Sequence, residues 1–253
     1  GQVLYRGRSI TGLSLREMRP YRKNIQMIFQ NSTGVFDRSY TVGESIAEVI
    51  RNNEKTSGAA CSDRVHRILE QVGLDSSFAG RYSRELSGGE RQRANIARAL
   101  VLHPEFVVCD EPVSSLDYSL RKQILTLLND LREQLGTTYL FITHDLYCIP
   151  YVCDSIVILY AGRIMEQIEL TSYSMEQAIH PYTRLLLASV PAKDPAERKK
   201  NAVVSAADFA LIPDASCCCR FLTRCTCRTD RCSREEPLLK KVEEGHFVAC
   251  HNV

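Results

Sequence analysis

Two short, unbroken apolar runs with one long amphipathic stretch between them constrain this chain most. The runs are residues 106–109 (FVVC) and 138–143 (TYLFIT), and between them Leu120, Ile124, Leu127, Leu128, Leu131 and Leu135 recur at helical spacing. A strand that is apolar along its whole length has no face to show to water, so this strand, helix, strand order predicts a parallel sheet buried on both faces. The class is α/β.

The flanking segments fill in around that sheet. Residues 23–30 (KNIQMIFQ) alternate Ile25, Met27 and Phe29 in strand fashion and, with the short β-like run at residues 2–5, predict an edge or antiparallel subdomain. From Gly43 to Val72, Ile46, Val49, Ile50, Val65, Ile68, Leu69 and Val72 follow helical spacing across a polar loop, predicting two or three helices. Residues 90–102 place Ile96, Ala97, Leu100 and Val101 on one helical face, and the glycine pair Gly88-Gly89 marks where that helix starts. Residues 155–160 turn at Ala161-Gly162 into a second β run, residues 164–168. Past Pro191 the composition shifts to Lys, Arg, Ala and Cys, so a domain boundary is expected between about 190 and 205.

Charge and composition exclude several function classes. Lys plus Arg number 32 against 30 for Asp plus Glu, a formal charge of +2, which gives no broad electrostatic drive toward nucleic acid or anionic lipid. No stretch approaches the roughly 20 apolar residues of a spanning helix. Of 11 cysteines only Cys61, Cys109, Cys148 and Cys153 precede residue 217, a crowding that predicts a reducing compartment with one local cysteine module.

The chemistry-bearing residues stand at the ends of these elements. The strand FVVC runs into Asp110 and Glu111, two adjacent carboxylates at the carboxyl edge of the sheet, where α/β folds bind ligands. One acid can hold Mg²⁺ and the next can orient or deprotonate a water; alone, such a pair can equally cap the following turn. Twenty residues earlier, Ser87, Gly88 and Gly89 offer a hydroxyl and closely approachable backbone N–H groups at a helix N-terminus, a geometry suited to phosphate. Ser114-Ser115-Leu116-Asp117 follows the acid pair, and His144-Asp145 follows TYLFIT.

In this order and spacing, Gln30 after IQMIF, LSGGERQR (86–93), FVVCDEP (106–112), SSLD (114–117) and His144 resemble the nucleotide-binding subunit of ATP-binding cassette (ABC) transporters over residues 1–190. LSGGERQRANIARAL, CDEPVSSLD and the HPYTRLL of residues 180–186 are most similar to the ATPases of bacterial oligopeptide and dipeptide importers. The resemblance implies an ABC-type fold with a mainly parallel sheet plus antiparallel β and α-helical subdomains, and a Cys-rich extension over residues 191–253. It implies ATP and Mg²⁺ as ligands, Gln30 near the metal and attacking water, and Ser87, Gly88 and Gly89 as a signature loop touching the γ-phosphate held by an opposite subunit. Asp110 would position Mg²⁺, Glu111 would act as general base, Asp117 would lie across the dimer interface and His144 would contact the γ-phosphate. The implied partners are a second ABC ATPase subunit, two membrane permease subunits and, indirectly, an extracytoplasmic substrate-binding protein, with the chain at the cytoplasmic face of the membrane. Nickel or glutathione importers of the same family are the alternative cargo classes; a soluble ABC ATPase on DNA or the ribosome is disfavoured by the lack of a long coiled-coil pattern or a tandem cassette.

Two departures from the family stand out. The 253 residues contain no G-x-x-x-x-G-K-[ST], the loop whose Lys and N–H groups cradle the β and γ phosphates. The expectation is that Gly1 is a cut end downstream of that loop, the competing one that this is a non-hydrolytic subunit completing only its partner's site; either leaves apolar surface uncovered beside residues 106–109. In the tail, Cys219, Cys225, Cys232 and Cys250 resemble the cysteine set of those importers that carry an iron–sulfur cluster there, although Leu222-Thr223 replaces the family's His-Pro and Cys217, Cys218 and Cys227 are extra. A 4Fe-4S cluster, zinc and free thiols are all open readings of that set. The 253-residue chain by itself is expected to bind Mg-ATP weakly, because Asp110 and Glu111 arrange metal and water around phosphates that no loop in these residues grips; micromolar affinity in a calorimetric titration would contradict this.

Overall fold

The structure, a computed structural model, describes residues 1–30, 34–190 and 218–253, so the expected boundary between 190 and 205 and Cys217 lie outside the described residues. The chain forms two compact units, Gly1–Val152 and Cys153–Val253.

In the first unit, β1 (Leu4–Tyr5) and β2 (Arg8–Ser9) form an antiparallel hairpin. Tyr5 Oη donates to Glu105 Oε2 at 2.5 Å and Arg6 Nη2 pairs with Glu105 Oε1 at 2.6 Å, tying the hairpin to the residue just ahead of the sheet's central strand. Helix α1 (Leu15–Arg22) starts at a Ser14/Glu17 capping box and leads into β3 (Ile25–Ile28). Helices α2 (Val42–Asn53), capped by Thr41 and Glu44, and α3 (Gly58–Gln71), capped by Ser57, pack on each other and on α4 (Gly88–Leu100). Of the two or three helices expected between Gly43 and Val72, two are present, and Ile46, Ile50, Leu69 and, from α4, Ile96 and Leu100 lie in the core. A Cβ on Gly43 would lie 2.8 Å from the Ala79 carbonyl oxygen, so α2 meets that loop only because position 43 has no side chain. Strand β4 (Phe106–Asp110), helix α5 (Tyr118–Leu135), strand β5 (Thr138–Ile142) and the short α6 (Ile149–Val152) complete the unit.

The sheet of this unit has the order β3-β4-β5 and all pairs are parallel, with Ile28 opposite Cys109 and Asp110 opposite Ile142. Residues 23–30 do not pair antiparallel: of the two readings the edge one holds, β3 being an edge strand of the parallel sheet, with the antiparallel pairing of the first thirty residues confined to β1 and β2. Alternation reports a half-buried strand but not its direction, which the long helical connection from β3 to β4 sets by returning the chain to the starting end. Nor is the sheet buried on both faces. Ile28, Val107 and Cys109 are fully buried on one face, while on the other Leu140 and Ile142 are 49% and 44% exposed and Phe29 is 44% exposed. The uncovered apolar surface anticipated beside residues 106–109 is this second face.

The second unit is built on an antiparallel sheet of order β6-β7-β9-β8, from β6 (Ser155–Tyr160), β7 (Arg163–Glu169), β8 (Lys240–Glu243) and β9 (His246–Val248), with α7 (Pro181–Ser189) beside it. The chain's last strands thus extend the β6–β7 hairpin: Glu166 of β7 stands opposite Val248 of β9. Glu166 is fully buried and serves three segments at once. It accepts hydrogen bonds from the backbone N–H of Ile179 at 2.7 Å and of His180 at 3.2 Å, and its Oε1 lies 2.8 Å from His246 Nε2. A carboxylate out of water is costly unless its oxygens are all but saturated, and here backbone donors and an imidazole do that.

His180 caps α7: its Nδ1 accepts from the Tyr182 N–H at 3.0 Å, which only a ring unprotonated at Nδ1 can do. Burial pushes His180 below its ordinary value, while Glu166 and a hydrogen bond with the Ala249 backbone act in the other direction. Because the folded value is the lower one, stability is fully present above the unfolded value near 6.5 and is lost as pH falls below it toward the folded value. Thermal unfolding followed from about pH 8 to about pH 5 should show the melting temperature falling below about pH 6.5, and His180→Asn, which keeps a helix cap, should flatten that fall. An equally steep fall in the variant would remove His180 as its source.

Candidate functional site

The carboxyl ends of the three parallel strands bring Gln30, Glu111 and His144 together. Each stands one or two residues beyond its strand: Gln30 after β3, Glu111 after β4, His144 after β5. Gln30 Nε2 donates to Glu111 Oε2 at 2.7 Å, and His144 Nδ1 lies 2.8 Å from Glu111 Oε1. A carboxylate only accepts, so this contact takes the hydrogen on Nδ1 and turns Nε2 outward, where the ring is largely open to solvent. Each Glu111 oxygen keeps a further lone pair for a water or a ligand.

The backbone at Glu111 is held in a strained state. Its φ is +44°, in the left-handed region that a residue with a Cβ rarely adopts. Its N–H donates to the Ile142 carbonyl at 2.9 Å and its own carbonyl accepts from Ser114 Oγ at 3.1 Å, so both sides of the strained unit are tied down. The capping role open to the acid pair from sequence alone is taken instead by Asp117, whose Oδ1 accepts from the Leu120 N–H at 3.0 Å at the start of α5. Asp110, the last residue of β4, is half-buried beside Glu111.

Ser87, Gly88, Gly89 and Asp117 form a second neighbourhood. Ser87 caps α4 in a reciprocal box with Glu90, Ser87 Oγ accepting from the Glu90 N–H at 3.3 Å and Glu90 Oε2 from the Ser87 N–H at 2.8 Å. A Cβ on Gly89 would lie 3.2 Å from Leu120 Cδ2, and one on Gly88 would lie 3.9 Å from Leu116 Cδ2. Gly89, expected on the ground of approach to an anion, thus has a packing reason as well, since Leu120 of α5 lies close over it, whereas a side chain at Gly88 would make only ordinary contact.

Residues 1–114 match the model of the family described as ABC transporter, and residues 171–232 match that of the oligopeptide/dipeptide transporter C-terminal region. A putative peptide import ATP-binding protein of Brucella ovis is 41% identical over 250 residues, covering 99% of this chain and 78% of that protein. The chain belongs to the oligopeptide/dipeptide branch of the ABC transporter ATPases. An oligopeptide transport ATP-binding protein of Bacillus subtilis is 38% identical over 255 residues, 99% of this chain and 77% of that protein. Among solved structures, the dimeric post-hydrolysis state of an ATP-binding cassette bound to ADP and Pi aligns with a TM-score of 0.60 at 28% identity, covering 67% of this chain and 73% of that one.

As an ABC ATPase the chain has an oxygen donor suited to Mg²⁺ in Asp110, because Mg²⁺ takes one or two carboxylates and fills its octahedron with water and phosphate oxygens. The cysteine set fits a metal less well. Among the described residues no group of three or more His, Cys, Asp or Glu side chains is arranged to hold a metal ion. Cys219 and Cys232 are buried with Phe221, with Tyr160, Tyr182, Leu185 and Cys225 packed around them. Burial pushes the Cys219 thiol up to about 11, with Cys232, Cys225 and Cys250 adding to the rise.

Two further residues at this site have no motif to announce them. Arg121 of α5 pairs with Asp145 at 2.9 Å and donates to the Leu116 carbonyl at 2.8 Å, fixing the residue directly after His144. Asn95 of α4 donates to the Phe29 carbonyl at 3.3 Å, fixing the residue directly before Gln30. The only sequence signal for the latter is an amide on the apolar face of an otherwise regular helix.

Proposed function

We propose that this chain is the ATP-hydrolysing subunit that energises import of oligopeptides or dipeptides by an ABC transporter. The observation that carries the hydrolytic reading is the carboxylate of Glu111, gripped on one oxygen by Gln30 and on the other by His144. The printed names of the relatives, peptide and oligopeptide import or transport, favour peptide over nickel or glutathione as cargo.

Glu111 is the general base in this reading. Gln30 and His144 hold its carboxylate in one orientation, which removes the rotational search that would otherwise precede proton abstraction from water. His144, with Nε2 turned outward, would contact the γ-phosphate, and Asp110 would hold Mg²⁺, which would supply charge neutralisation on the transferred phosphoryl group. Ser87, Gly88 and Gly89, at the positive end of α4, face the γ-phosphate of a second ABC ATPase subunit, with Asp117 beside them at that interface. Residues 1–190 carry the ATPase and residues 191–253 the extension, and the assembly includes two permease subunits and, indirectly, an extracytoplasmic binding protein. No helix of the described residues is long and apolar enough to cross a membrane, and we place the chain at the cytoplasmic face, docked on the permeases.

In the assembled transporter, with a phosphate-cradling G-x-x-x-x-G-K-[ST] segment supplied ahead of residue 1, Glu111→Gln should lower ATP turnover by about a hundredfold or more while leaving nucleotide binding intact, since the amide keeps the shape but takes no proton. Equal turnover in variant and parent would show that Glu111 is not the base.

For the extension, a 4Fe-4S cluster on Cys219, Cys225, Cys232 and Cys250 is the finer proposal, supported by the resemblance of their spacing to that of importers that carry such a cluster; zinc is the second metal reading. Protein purified without oxygen should be brown with broad visible absorption that bleaches in air, and Cys225→Ser should lose it. Colourless protein with stoichiometric zinc would replace the cluster by zinc, and metal-free protein would leave the thiols as packing residues.

A further inference from the structure

We infer that Asn95 is a positioning residue for hydrolysis, holding Gln30 on Glu111 through the Phe29 carbonyl. The inference rests on the reading of Glu111 as general base and adds to it the group that sets its orientation from outside the strand ends.

Asn95 is 1% exposed and lies in the run of buried residues Ala94, Ile96 and Ala97 on α4. An amide in such surroundings is destabilising unless it is hydrogen-bonded, so its one described bond, Nδ2 to the Phe29 oxygen at 3.3 Å, is what compensates its burial there. The two residues are 66 positions apart, and the bond joins the middle of α4 to the point where β3 has just ended at Ile28. The next residue is Gln30, whose Nε2 reaches Glu111 Oε2 at 2.7 Å. Phe29 itself gives little anchorage, its side chain being 44% exposed on the open face of the sheet. The backbone leading into Gln30 is therefore held by the ladder up to Ile28 and, at Phe29, by Asn95.

The same helix begins at Gly88, capped by Ser87. Eight residues separate Ser87 from Asn95, about 12 Å of helix rise. A helix of this length moves as a rod, so a displacement of the Ser87–Gly89 loop when a partner subunit engages it is carried to the Phe29 carbonyl and hence to Gln30. Asn95 is thereby the joint between the loop that meets the partner's nucleotide and the side chain that orients this chain's own base.

The test is a double-mutant cycle on the assembled transporter, with ATP turnover measured against ATP concentration for the parent, Gln30→Ala, Asn95→Leu and the double variant. Asn95→Leu removes the donor while filling the site with an apolar side chain of similar size; Asn95→Asp keeps the shape and removes the donor, and serves if the leucine does not pack. Melting curves establish that each variant folds. The expected result is a fall in kcat of about three- to tenfold for Asn95→Leu, with KM for ATP within about twofold of the parent. In the Gln30→Ala background the same substitution should change kcat by less than about twofold, because the two residues act in series. Multiplying losses in the double variant, or parent-like turnover of a folded Asn95→Leu and Asn95→Asp, would overturn the proposal and leave Asn95 as a packing residue. If Gln30→Ala and Glu111→Gln both turn over like the parent, the reading of the hydrolytic site fails, and the Asn95 proposal fails with it.

Discussion

The parallel register of β3, β4 and β5 is the constraint on which the candidate site depends. In a parallel sheet all strands end at the same edge, and here Ile28 stands opposite Cys109 and Asp110 opposite Ile142. Extending those pairings past the strand ends places Gln30 level with Glu111, and His144 one step beyond Glu111 on the other side. Three residues that are 81 and 33 positions apart in the chain meet because backbone hydrogen bonds fix their strands to within one residue of register. A slip of a single residue would turn each side chain to the opposite face of the sheet and dismantle the site.

Holding a carboxylate from both sides has an energetic consequence. A left-handed φ at a residue with a Cβ costs on the order of 1–3 kcal/mol, and at Glu111 that cost is sustained by the β5 carbonyl on its N–H, by Ser114 on its carbonyl, and by Gln30 and His144 on its side chain. Strain of this kind persists only where surrounding contacts over-determine the conformation. The surroundings include Arg121 and Asp145 behind His144 and Asn95 behind Gln30. Glu111 is thus fixed at its side chain, at its backbone and through the neighbours of its partners, the preorganisation that the proposed role as general base would ask of it.

How much of this was legible in the sequence depends on whether the signal is local. The strands at 106–110 and 138–142, the long helix between them and the helix after Gly88-Gly89 follow from apolar patterning and capping residues a few positions apart, and the structure has them there. Gln30, Glu111 and His144 were legible as a set only through the family resemblance, since nothing in residues 23–30 says that β3 runs parallel to β4. The open face was legible only through the missing phosphate-loop segment and not through the strands themselves, because the apolar residues Leu140 and Ile142 read the same whether or not another layer covers them. Glu166 and Asn95 escaped for a related reason. Each is a polar residue in an apolar setting whose partner lies far along the chain, and periodicity has no term for a hydrogen bond spanning 66 or 80 positions.

The two units consequently hold together on different principles. In the first, buried aliphatic side chains between α2, α3, α4 and the sheet supply cohesion, and the polar groups at the strand ends are spared for chemistry. In the second, the sheet of β6, β7, β9 and β8 is joined across distant segments by one fully buried carboxylate, with His180 and His246 buried beside it and with Cys219, Phe221 and Cys232 as a small apolar cluster. Apolar cohesion tolerates small displacements, because contact area changes smoothly. A buried Glu166 does not: losing the Ile179 N–H, the His180 N–H or His246 leaves part of a buried carboxylate unpaired, which is costly away from water. The extension's strands are therefore seated in one register or not seated, and this all-or-none character is what lets so polar a segment, with few apolar residues of its own, adopt a defined place on β7.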